Sequence, residues 1–334
     1  MTAQTPRSLY RHRIKWGGAL CTALCAGLSL ALFAADGQAQ AYPSKPVRVI
    51  IPNGAGSPGD ILSRLMGPRL TEIWSQPVIV ENRTGATGLI GVEAAARAAP
   101  DGQTFTVVTM TQLISTLMYQ RYQLATEFAP VSMVGTTPFA IVIPASVPVK
   151  TIPEFIAYAK ARPGQLMFSS SGQWGSSHLC LEDFNELAGL KMTHVPHPST
   201  PAAMNAIIGE QVTAYCPAGP TIQSAPAGKV RVLGITYLKP TKLLPGIPPI
   251  ADSGVPFELL GWYGMLAPLK TPASAITKVN ADVQRVLGLP EIQEKFVGMG
   301  VEAVGSTPAD YGNFLRRESE RWGKVLKDRN AKVD

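Results

Sequence analysis

The chain has 334 residues, 46% of them apolar and 16% charged, with a formal net charge of +7. That is enough apolar side chain for one to three packed domains, which excludes a disordered chain, and four cysteines exclude a small disulfide scaffold. No Lys/Arg run reaches five residues, so the charge marks no nucleic-acid face and a weak positive field suits small anions instead.

Arg7, Arg11, Arg13 and Lys15 give a basic start, and residues 16–34 then run apolar without a charge. Ala39-Gln40-Ala41 follows as a small-x-small site. This is the pattern of a signal peptide over residues 1–41, cleaved after Ala41, and it predicts export to the periplasm. Of the four cysteines, Cys180 and Cys216 lie beyond it. In an exported compartment two such thiols can pair.

Short apolar runs then alternate with helical spacing. Residues 47–51 predict a strand, and the apolar positions 61, 62, 65, 66, 70, 73 and 74 predict a helix. A strand at 78–80, an Ala-rich helix over 89–99 and a strand at 105–108 follow. Strand-helix alternation implies a parallel sheet covered by helices, with ligands bound at the carboxyl ends of its strands. The pattern resumes with strands at 139–143 and 166–169 and helices over 153–161, capped by Thr151, and 176–188. Short strands at 193–195, 211–216 and 230–236 come next. Pro240, Pro245, Pro248, Pro249 and Pro256 mark an irregular connection. Helices over 272–287, 290–299 and 308–327 close the chain, each with Pro near its start. Two α/β lobes are the natural division.

Two strand-to-helix loops carry the chemistry. The first, 52–60, reads Pro-Asn-Gly-Ala-Gly-Ser-Pro-Gly-Asp. Exposed amides and the positive end of the following helix make an anion site without a charged side chain. Its Gly54-x-Gly56-x-x-Gly59 also matches a dinucleotide fingerprint, with Glu81 about where the ribose acid belongs. Pro52 and Asn53, which separate the strand from the first glycine, and the export signal count against that reading. The second loop, 169–178, is Ser-rich and offers hydroxyls and amides for a second polar group; plain helix capping by Ser176 is its bland alternative. Thr109 and Thr111 end the third strand and open into the same crevice, unless they only cap a helix. No G-x-S-x-G elbow occurs, so a hydrolase triad has no support. His194, His197 and Cys216 do not make a metal cluster. Trp174, Tyr215 and Trp262 are aromatic candidates for the crevice or for the core.

These stretches resemble one known family. Ser44-Lys45-Pro46-Val47-Arg48, Val80-Glu81-Asn82-Arg83, Ala99-Pro100-Asp101-Gly102 and Phe128-Ala129-Pro130-Val131-Ser132 occur in order. Ser170-Ser171-Gly172, Ser176-Ser177-His178, His194-Val195-Pro196, Gly228-Lys229-Val230-Arg231 and Gly261-Trp262-Tyr263-Gly264 continue the set. Together they resemble the exported solute-binding proteins of tripartite tricarboxylate transporters, the Bug or TctC-like family, over nearly the whole exported chain.

The resemblance implies an α/β, two-lobed periplasmic-binding-protein-like fold (type II) with the ligand cleft between the lobes. Residues 42–142 plus 267–334 would form one lobe and 143–266 the other, with crossings near Val142 and Leu266. It implies a monomer that captures a small carboxylate and passes it to membrane subunits of the transporter, with no catalysis, cofactor, metal or nucleic acid. Asn53, Ala55, Gly56, Ser57 and Asp60 map onto the family's first loop, Asp60 as a helix cap rather than an anion contact. Thr109, Thr111, Ser170, Ser171, Ser176 and His197 complete the expected ligand set. A disulfide between Cys180 and Cys216 is implied by the relatives. The chain departs from the family pattern at Ser57 (often Gly), at His197-Pro198-Ser199 (often Tyr-Lys-Gly) and at Pro217 (often Asp). The alternative reading is an exported α/β enzyme acting on a carboxylate, for which no nucleophile-base pair is apparent.

Overall fold

The computed structural model describes residues 42–331. The chain divides into Met1–Ser44 and Lys45–Asp334. Of the first unit only residues 42–44 are described, and they form no helix or strand. The predicted signal peptide and its cleavage site therefore lie outside the described residues. The second unit, from Lys45 onward, carries every described helix and strand.

Its first half builds as the apolar runs require. Strand β1 (Val47–Ile51) leads through the first loop to helix α1 (Pro58–Trp74), and β2 (Val78–Asn82) leads through a one-turn helix to α2 (Leu89–Ala96). Next come β3 (Thr104–Thr109) and α3 (Met110–Tyr119). Strands β1, β2 and β3 pair in parallel, and β1 sits between the other two. β1 and β3 are accordingly buried along almost their whole length, and Val47, Ile50, Phe105 and Val108 are fully buried.

Strand β4 (Phe128–Pro138) follows, then β5 (Ala140–Pro144), and with Phe139 between them the chain changes sheets. The second sheet adds α4 (Ile152–Lys160), β6 (Met167–Ser170), α5 (Ser176–Ala188), β7 (Thr193–Pro196), α6 (Thr200–Ile208), β8 (Ala214–Tyr215), the short α7 (Gly219–Gln223) and β9 (Val230–Ile235). A proline-punctuated connection leads back to β10 (Leu260–Pro268) in the first sheet. Then α8 (Ala273–Leu287), α9 (Pro290–Gly298), β11 (Glu302–Ala303) and α10 (Pro308–Asp328) finish the fold. The sheet orders are β11-β4-β10-β3-β1-β2 and β7-β6-β8-β5-β9. Each sheet with its helices is one lobe of a two-lobed α/β fold.

Several expectations shift. The sheet changes occur at Phe139 and before Leu260, so the boundaries expected near Val142 and Leu266 fall inside β5 and β10. An apolar run does not reveal where it leaves one sheet for another. β4 gives no strand signal in the sequence because Pro130, Gly135 and Pro138 interrupt it. It tolerates them because β10 pairs with it through register shifts and β11 covers only two residues of its other edge. The strand expected over 211–216 shrinks to two residues, and α3 and α6 are helices that the apolar spacing does not announce.

Thr151 caps α4 as expected, accepting the Glu154 amide at 3.3 Å. Cys180, inside α5, and Cys216, just past β8, are joined by a disulfide, with Cα atoms 6.1 Å apart. Both are fully buried, and the bond ties a helix to the sheet that it covers.

Candidate functional site

The carboxyl ends of the two parallel strand sets face one cleft of about 540 Å³. One wall begins with the loop between β1 and α1. Ser57 is the N-cap of α1, yet its side chain makes no capping bond, and its Oγ is buried without a partner. The loop is held from behind by Asp60, only 3% exposed, whose carboxylate accepts the Gly56 amide at 3.0 Å. Its other oxygen accepts from Arg64 Nε at 2.9 Å. Asn82 Nδ2 donates to Asn53 O at 3.0 Å, which fixes the start of the loop. The turn at 84–88 completes this wall together with Thr109, Met110 and Thr111.

The opposite wall is the Ser-rich loop between β6 and α5 with the loop after β7. Ser171 donates its amide to Ser177 Oγ at 3.1 Å, and Gly175, which lacks a side chain, is the N-cap of α5. His197 donates its backbone N–H to Ser170 O at 2.9 Å, while its Nε2 is buried without a partner. Tyr215 is buried beneath this wall. Burial pushes its phenol well above the usual range, against the pull of hydrogen bonds to Ser171, Thr200 and Ser177. Across the cleft, Thr111 Oγ1 and Ser176 Oγ meet at 3.0 Å, so the two walls already touch at one point.

Two properties define what the cleft can do. First, among the described residues that line it there is no Lys, Arg, Asp or Glu. Secondly, helix starts converge on it, and they divide into two kinds. α3 and α6 satisfy their own first-turn amides: Thr109 forms a capping box with Gln112, and Ser199 accepts from Ala202 at 3.3 Å. α1, α2 and α5 have no cap from their own N-cap residue, although the Ser176 amide that opens α5 donates to Thr111 Oγ1 on the facing wall at 3.3 Å. An uncapped helix start presents unsatisfied amides and partial positive charge, which is the chemistry of an anion site. The two long helices left uncapped are those that follow the two loops singled out from sequence. Among the described residues no cluster of His, Cys, Asp or Glu is placed to hold a metal ion.

The expected ligand residues divide accordingly. Asn53, Ala55, Ser57, Thr109, Thr111, Ser171, Ser176 and His197 line the cleft. Gly56, Asp60 and Ser170 stand behind it: the first two fix the first loop, and Ser170 hydrogen-bonds His194 Nε2 at 2.6 Å. Tyr215 and Trp262 line the cleft too, whereas Trp174 faces a separate depression with Glu182 and Arg329. Sequence reasoning missed the 84–88 turn, Thr137, Phe139 and the start of α7. The turn was findable, because Gly85 and Gly88 directly follow a parallel strand, where such sheets bind their ligands. Thr137 and Phe139 were not, because they join the site only where the chain changes sheets.

The family described as the tripartite tricarboxylate transporter family receptor, TctC, matches residues 62–331. A protein from the tcbD-tcbE intergenic region of Pseudomonas sp. strain P51 is 31% identical, covering 90% of this chain and 92% of its own. The periplasmic binding protein BugD superposes with a TM-score of 0.80 at 29% identity, covering 88% of this chain and all of its own. R. palustris Rpa4515, solved with adipate, superposes with a TM-score of 0.80 at 31% identity, covering 86% and 97%. The chain belongs to the TctC receptor family of tripartite tricarboxylate transporters, periplasmic solute-binding proteins of two-lobed fold and not enzymes.

Proposed function

We propose that this protein is exported by its N-terminal signal, acts as a monomer in the periplasm, and captures a small carboxylate between its lobes for a tripartite tricarboxylate-type transporter. The observation that carries the reading is a cleft with no charged side chain, onto which uncapped helix starts of both lobes converge. Held this way, a carboxylate meets aligned N–H dipoles and hydroxyls rather than an ion-pair partner. Affinity then depends on geometry and on the closing of one wall against the other. Adipate in the related R. palustris structure supports the ligand class. His197 and Pro217 sit on the second lobe's wall, where this chain departs from the family pattern, and they set its selectivity among carboxylates.

The test is a thermal-shift screen of residues 42–334, stripped of co-purified ligand by partial unfolding. The panel holds adipate and other mono-, di- and tricarboxylates, aromatic acids and amino acids. A ligand at about 100 times its Kd adds about 2.7 kcal/mol, a rise of several degrees for a chain this size. A shift with one carboxylate class, and unchanged ligand on recovery, is the expected result. No shift with any carboxylate would overturn the reading.

A further inference from the structure

Two of the chain's four histidines are stacked beneath the second cleft loop. The His178 and His194 ring centroids lie 3.7 Å apart, 19° from parallel, and both rings pack on Phe168. Neither His178 nor His194 lines the cleft, and His178 is only 5% exposed. Yet both are bonded to the loop that does. The Trp174 amide donates to His178 Nδ1 at 2.9 Å. Nδ1 is thus the bare nitrogen, Nε2 carries the proton, and Nε2 faces Glu182 Oε1 at 3.3 Å. Ser170 Oγ lies 2.9 Å from Gly172 O and hydrogen-bonds His194 Nε2 at 2.6 Å. The loop between these anchors includes Ser171 and Gly172, which line the cleft, and Trp174 at φ 56°, a left-handed conformation that a bulky residue adopts only under constraint.

We propose that His178 is a positioning residue for the ligand site: its neutral imidazole, braced by His194, holds the Trp174 backbone, and protonation of Nδ1 releases the 171–175 loop. This rests on the reading that the loop grips the ligand. A proton on Nδ1 would set two N–H donors against each other and remove the acceptor. The groups facing His178 act in opposite directions. Glu182, on the same helix, is held below the usual carboxylate range chiefly by its hydrogen bond to His178, with Arg329 at the end of α10 acting on that carboxylate too. His194, from β7, opposes a second charge in the stack, and His197 lies beyond it. Burial and the neighbouring imidazole push His194 itself down to about 4, so it remains the neutral member as pH falls.

The test needs no ligand. Long-range proton-nitrogen NMR of the exported chain gives the His178 tautomer, and amide exchange of Trp174, corrected for intrinsic rate, gives the state of the loop from about pH 7 to about pH 5. The expected results are an Nε2–H tautomer near neutrality and about tenfold loss of Trp174 protection wherever the NMR spectrum shows the ring doubly protonated. H178N places an acceptor oxygen near the Nδ1 position that does not titrate. It should keep the protection and lose its pH dependence. H178Q puts its polar atoms on the Nε2 side and should lose the protection even near neutrality. A purely structural role would make the two variants alike. An Nδ1–H tautomer near neutrality, or full Trp174 protection in H178Q, would overturn the proposal. Such a result would leave carboxylate capture standing, whereas a failed carboxylate screen with these readouts intact would strike only the ligand reading.

Discussion

Asp60 supports the first loop from behind rather than entering the cleft. A carboxylate in an anion-binding loop invites a role in binding, yet like charges repel, and the structure turns Asp60 inward onto the Gly56 amide and Arg64. Asp60→Ala should destabilise the protein by about 1 kcal/mol, through loss of the bond that orders the helix start. Urea denaturation of variant and parent checks this, and equal midpoints would show that the loop stands without it. Gly56 is a similar case. Its φ of +77° suits glycine, and open space surrounds its Cβ position. A valine there would act through backbone strain rather than by blocking the ligand. Which polar groups remain free for the ligand was equally hidden, because it depends on partners distant in sequence.

At the scale of elements, the helix starts form the site and the disulfide holds one of them in place. Cys180 lies in α5, whose first turn faces the cleft, and its link to Cys216 closes a separation of 36 residues. In the chain-entropy account a loop of that length contributes on the order of 4 kcal/mol. Denaturation of the exported protein with and without reductant should therefore show a large loss of stability on reduction, and a loss below about 1 kcal/mol would mean that the second sheet holds α5 unaided. The strand-helix alternation of this lobe was legible from apolar spacing. The shortness of β8 was not, since Val212 to Cys216 are as apolar as a longer strand while only Ala214 and Tyr215 find a ladder partner.

At the scale of the whole molecule, the passage between sheets decides what the cleft can do. Thr137 Oγ1 accepts from the Gly219 amide at 3.1 Å and donates to Gly300 O at 2.7 Å. The start of α7, in one lobe, thus rests on the end of α9, in the other. A Cβ on Gly219 would overlap Gly300 O and lie 2.6 Å from Thr137 Oγ1. Gly219→Ala should push the lobes apart at a cost of about 1–3 kcal/mol to the closed arrangement. Small-angle scattering should show a larger radius of gyration than in the parent, together with a smaller thermal shift from the carboxylate that the parent binds. An unchanged profile with unchanged binding would remove this contact from lobe closure.

The sequence by itself determined the α/β class, most helices and parallel strands, and the two loops that open into the cleft. Those features follow from side-chain periodicity and from local backbone chemistry, which act over a few residues. Only the tertiary structure decided that the sheets change at Phe139 and again before Leu260, and that Tyr215, Trp262, Thr137 and the 84–88 turn join the site. It also decided that α3 and α6 cap themselves while α1 and α5 lack a cap of their own, and that His178 and His194 stack behind the wall. Each of these depends on groups dozens of residues apart meeting within hydrogen-bonding or packing distance, and no local pattern in the chain encodes such a meeting.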